Sequence, residues 1–109
     1  MMNIFPGVSI GDLLYIYNHY GKDHQLKKLD EELDELKEAL GIYTEVPSTA
    51  AWNHVVEEAG DVLNVLLELV VGGAINEFEI TDSMIFKLSR QEDRILEEES
   101  EWELKEDES

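Results

Sequence analysis

Leucines at positions 26, 29, 33, 36 and 40 recur in alternating steps of three and four, a spacing that puts them on one side of an α-helix. A chain with such a row over four turns must build around a helix, and the same period returns on either side of it. Ser9, with Asp12 three residues on, resembles a capping box, after which Ile10, Leu13, Leu14 and Tyr17 follow at helical spacing until Gly21 stops the pattern. Asp23 is positioned to cap the leucine helix and Gly41 to end it. Thr44, Pro47 and Ser48 break the periodicity, so 42–47 reads as a loop and Ser48 as the cap of a third helix running to about Val71. From Val62 to Val71 that helix is apolar nearly all round apart from Asn64 and Glu68, which calls for cover on most sides. Gly72 and Gly73 terminate it, and Thr81 then caps a fourth helix, with Ile80 and Ile85 as a hydrophobic staple. No internal repeat, extended coiled coil or convincing strand is visible. The expected fold is all-α, a short four-helix bundle, with one domain over 1–98 and an acidic tail over 99–109 that frays.

The charge narrows the partners. A net charge of −18, from 26 acidic and 8 basic residues, argues against nucleic acid and anionic membrane and suits divalent cations or basic proteins. The chain has no cysteine, so neither a disulfide nor a thiolate metal site is available, in keeping with a reducing compartment. Met1 to Val8 lacks the pattern of a secretory signal, and the apolar stretches fall far short of a membrane span. A cytoplasmic protein without a membrane partner is expected.

Two helices each carry acids three residues apart, Glu32 and Glu35 in EELDEL, Glu58 and Asp61 in EEAGDV. At about 100° per residue, Glu32 lies roughly 80° from the centre of the leucine stripe, as a boundary residue, and Glu35 roughly 140°. With Val55, Ala59, Val62 and Leu66 as the stripe of the third helix, Glu58 and Asp61 fall at nearly the same two angles in the same sense. Antiparallel packing through those stripes therefore turns both acid pairs into one groove. Four carboxylates so placed repel one another unless a divalent cation neutralises them. All-oxygen donors select hard ions such as magnesium, manganese or calcium over zinc. The competing reading is a solvated acidic face, which any helix of so acidic a protein can show, but two pairs at matched angles favour the metal site.

EELDEL followed after a loop by EEAGDVLNVL resembles the ExxE and ExxD signature of the MazG-like all-α nucleotide pyrophosphohydrolases, over roughly Gly21 to Ile95. The acidic tail lies outside that pattern. The resemblance implies hydrolysis of (deoxy)nucleoside triphosphates to the monophosphate and pyrophosphate. It implies magnesium, with manganese as an alternative, held by Glu32, Glu35, Glu58 and Asp61, and an all-α NTP pyrophosphatase-like bundle assembled as a homodimer or homotetramer. A carboxylate not fully engaged by metal can take the proton of the attacking water, and Glu35 and Glu38 are the nearest candidates.

Lys87, Arg90 and Arg94 form one face of the fourth helix, able either to grip a triphosphate or to pair with Asp93, Glu97 and Glu98 along the helix. Gln25 and Lys28 continue the line of Glu32 and Glu35, either toward base or phosphate in that groove or as a solvated face. Asn64 stands one turn after Asp61 in an apolar setting, where an unpaired amide is costly and a substrate hydrogen bond is favoured. His54 reads as a surface histidine and Trp52 as core. Two other classes of function compete with the enzyme: an acidic mimic of DNA, which needs its charges on the outer surface, and a helical adaptor that docks through the third helix.

Overall fold

Helices begin where a side-chain oxygen can take up a free backbone N–H. In the computed structural model, which describes residues 5–108, Ser9 Oγ accepts from the Asp12 N–H at 3.3 Å and Ser48 Oγ from the Ala51 N–H at 3.0 Å. These caps open α1 (Ile10–Tyr20) and α3 (Thr49–Val71). α1 ends on Gly21, whose φ of 85° lies in the left-handed region and whose N–H donates to the Tyr17 carbonyl at 2.8 Å. The next residue already belongs to α2 (Lys22–Glu45), so one glycine serves as the joint of both helices. Gly72 closes α3 with its N–H on the Glu68 carbonyl at 2.9 Å. A side chain at Gly72 would collide with the ring of Tyr17, so α1 rests its aromatic face on the end of α3.

Several expected boundaries move. Asp23 lies in the first turn of α2 and no side chain caps that helix, because Gly21 has already begun it. Gly41 does not end α2, which continues to Glu45, and the loop shrinks to 46–48. Thr44 Oγ1 donates back to the Leu40 carbonyl at 2.8 Å and the Tyr43 ring meets Trp52 at 5.3 Å. These contacts offset the roughly 1 kcal/mol that glycine costs inside a helix. The fourth helix, α4 (Glu77–Glu108), starts at Asn76, whose Oδ1 accepts from the N–H groups of Phe78 and Glu79 at 2.9 and 3.0 Å. Thr81 is therefore inside α4, donating to the Glu77 carbonyl at 2.8 Å, and Ile80 and Ile85 form no staple across the start. The acidic segment expected to fray is helical through Glu108.

The described residues are all-helical, with four helices and no strand. They divide into two compact units, one up to Ile75 and one from Asn76. In the first, α2 and α3 pack antiparallel and α1 packs mainly on α3, around Leu13, Ala39, Val55, Val62, Val65 and Leu69. The second is α4, on which Phe78, Ile85, Leu88, Ile95 and Trp102 are each more than half exposed. Among the described residues no helix is long and apolar enough to cross a membrane.

The rotation of α2 departs from the expectation. Its buried residues are Gln25, Glu32 and Ala39, a row seven apart that lies about 80° from the centre of the leucine stripe. Glu32 thus stands on the buried face itself, and Leu26, Leu33 and Leu40 remain 39–43% exposed. One neighbouring helix covers only part of another's circumference, and small Ala39 lets α3 approach on this side. On α3 the exposed apolar row is Trp52, Val56 and Leu63; Trp52 is half exposed rather than core. By helical angle both rows fall on the flank opposite the acids.

Candidate metal centre

Because α2 turns Glu32 inward, its carboxylate meets α3 instead of water. Glu32 is only 4% exposed, and Glu32, Glu58 and Asp61 each offer an oxygen within 4.8 Å of the other two. Glu35 is exposed at the edge of this cluster. A hydrogen bond with Glu58, and next the negative charge of Glu32, push its carboxyl above the usual carboxylate range. Asp61 is also pushed up, first by burial and then by the charges of Glu32 and Glu58. These are the four acids drawn from the two helical motifs, three of them in one cluster and the fourth close enough for Glu58 and Glu32 to raise its carboxyl.

The surroundings neutralise this charge only in part. Lys28 Nζ lies 3.0 Å from Glu32 Oε1, and that hydrogen bond and charge raise the lysine's pKa. His54 Nδ1 lies 3.8 Å from Glu58 Oε1, an ion pair only when the imidazole is protonated. The second oxygens fare worse: Glu32 Oε2 and Glu58 Oε2 are buried and, among the described residues, have no hydrogen-bond partner. Leaving a carboxylate oxygen buried and unpaired is strongly unfavourable. A hard divalent cation bound by these oxygens would satisfy both and relieve the repulsion that raises Glu35 and Asp61. The donor set fits such an ion.

Beside the cluster opens a cleft of about 590 Å³, lined by α1, α2 and α3, with Lys28, Glu32 and Asp61 in one part and Tyr20, Gln25 and Glu68 in another. Gln25 is buried, and its Nε2 donates to Glu68 Oε2 at 3.2 Å, which engages it with protein instead of leaving it free for phosphate. Asn64 lines the cleft as an exposed residue rather than a buried amide. Glu38 is exposed and lies outside both the cluster and the cleft lining. Lys87, Arg90 and Arg94 belong to α4, in the other unit. Arg90 sits over the Phe86 ring at 5.8 Å, and among the described residues none of the three makes an ion pair.

Glu68 is the cleft residue that the sequence motifs do not single out. It is 4% exposed, and burial raises its carboxyl while the Gln25 hydrogen bond works against that rise. A signal for it exists: Gln25 stands seven residues before Glu32 and Glu68 seven after Asp61. On antiparallel helices those offsets lead to the same end of one face.

No protein-family model, curated protein or solved structure matches this chain.

Proposed function

We propose that the chain is a magnesium-dependent nucleoside triphosphate pyrophosphohydrolase. The observation that carries this reading is the pair of buried, unpartnered oxygens, Glu32 Oε2 and Glu58 Oε2, in an acid cluster that opens on a cleft of nucleotide size. The likeness of EELDEL and EEAGDVLNVL to the MazG-like signature supports it. In this reading Glu32, Glu35, Glu58 and Asp61 hold the metal, with manganese as a substitute. When bound, the ion supplies neutralising charge for the triphosphate oxygens and an acidified water. Glu35, exposed beside the acid cluster, accepts the proton of the attacking water. Attack at the α-phosphorus breaks the α–β anhydride bond, leaving the nucleoside monophosphate and expelling pyrophosphate. Lys28 faces the phosphates from α2, and Asn64 hydrogen-bonds the substrate in the cleft.

The exposed rows Leu26, Leu33, Leu40 and Trp52, Val56, Leu63 favour a homodimer or homotetramer that covers them. A DNA mimic is disfavoured, since it needs its charges outward and Glu32 is buried. Incubating mixed nucleoside triphosphates with magnesium should release pyrophosphate and monophosphate. Orthophosphate as the sole product, or full activity in excess chelator, would overturn the proposal. Light scattering at micromolar concentration should give two or four chains.

A further inference from the structure

We propose that Glu68 reads the nucleobase and selects bases that carry an exocyclic amino group, cytosine, adenine or guanine, over uracil and thymine. This rests on the nucleotide reading above, and it concerns the part of the cleft away from the metal ligands. Glu68 lies seven residues beyond Asp61, about 10 Å along α3, so a nucleotide whose phosphates meet the acid cluster extends its base toward it. Planar surface is at hand there. Tyr20 and His24, both lining the cleft, stack with ring centres 4.5 Å apart and planes 15° from parallel, offering an aromatic wall for a base.

The polar geometry sets the selectivity. His24 Nδ1 and Gln25 Oε1 are 2.7 Å apart, which directs the Gln25 amide nitrogen onto Glu68 Oε2 at 3.2 Å. One acceptor site of the carboxylate is thereby filled and its orientation fixed. A carboxylate is acceptor-only, with about four lone-pair sites, so capacity remains on a side chain that lines the cleft. An amino group of cytosine, adenine or guanine supplies the missing donor. Uracil and thymine put a carbonyl oxygen where cytosine puts its amine, and oxygen would then face oxygen. The residue is otherwise hard to account for: a leucine would complete the apolar run VLNVLLELVV without burying a carboxylate.

The test is equilibrium binding of cytidine, adenosine, guanosine, uridine and thymidine monophosphates to the full chain with magnesium, by titration calorimetry. The three amino-bearing nucleotides should bind about 5- to 100-fold more tightly than the other two. Glu68→Gln, which keeps a hydrogen bond to Gln25 but also donates, should bring all five within about threefold. Gln25→Met, which frees the carboxylate to swing, should give a smaller loss of preference and decides the matter if Glu68→Gln does not fold by circular dichroism. Equal binding by the parent, a preference that survives in folded Glu68→Gln, or no nucleotide binding would overturn the inference. Pyrophosphate release is measured in parallel. Selective binding without turnover defeats the enzyme reading and leaves the base reading intact, whereas equal turnover of cytidine and uridine triphosphates defeats the base reading alone.

Discussion

Glu32 and Glu58 on one side and Glu68 on the other are glutamates held largely away from water in the same three-helix unit, yet their oxygens meet different things. Glu68 has Gln25 on Oε2. Glu32 and Glu58 each keep a buried oxygen without a partner. Burial alone therefore does not mark a metal ligand: a buried acid paired with an amide is a finished hydrogen bond, while a buried acid with an orphaned oxygen still calls for a partner, which the proposed cation would supply.

The largest effect expected from this contrast is on turnover. Glu58→Gln or Asp61→Asn should lower kcat by about a thousandfold or more, while raising the melting temperature of the metal-free protein by removing repulsion. Magnesium should stabilise the parent and not the variants; equal thermal shifts in all three would show that these residues are not ligands. Glu68→Gln should keep both its turnover and its magnesium shift.

The next effect concerns cations for the phosphates. Arg90→Ala or Arg94→Ala should depress turnover or nucleotide affinity by about one to three orders of magnitude, with magnesium binding unchanged. Loss of stability with intact kinetics would assign them to α4 alone and leave the phosphates to Lys28.

Acid titration then separates the glutamates by stability. Glu68 has a folded pKa raised by burial, so the native state binds a proton that the unfolded chain releases. Its unfavourable contribution is absent below the ordinary carboxylate pKa, grows as pH rises, and is complete above the raised value. Urea melts between about pH 3 and about pH 8 should show Glu68→Gln gaining on the parent as pH rises. A constant gap would mean that Glu68 titrates normally.

Smallest is Lys28→Met. The lysine is half-buried, and its ion pair with Glu32 spans one turn of α2, so the melting temperature should move by no more than about 2 °C. Its loss should still strengthen the repulsion at Glu32, which makes the magnesium-dependent shift larger.

The helices were legible in the sequence wherever a local donor or acceptor decides them, as at Ser9, Ser48, Gly21 and Gly72. Gly41 misled because a glycine stops a helix only when tertiary contacts do not carry the chain on, and here Tyr43 meets Trp52. Thr81 misled because Asn76 offers an earlier cap. For the site, the angles that turn both acid pairs into one groove agree with the convergence of Glu32, Glu58 and Asp61, whose oxygens lie within 4.8 Å of one another. The rotation of α2 was not legible. The most apolar row normally faces the core, but here α3 packs on Gln25, Glu32 and Ala39, and only the spacing of seven hints at it.

An uncovered leucine row on so acidic a chain makes solubility a question of colloid physics. Until the proposed oligomer covers them, Leu26, Leu33 and Leu40 offer a sticky strip to every like chain, and the charge of −18 supplies the repulsion that limits association beyond that assembly. Near the sequence isoelectric point of about 4.2 that repulsion vanishes while the strip remains. Turbidity should therefore rise sharply on acidification toward that value, and adding salt at neutral pH should screen the charge and act in the same direction.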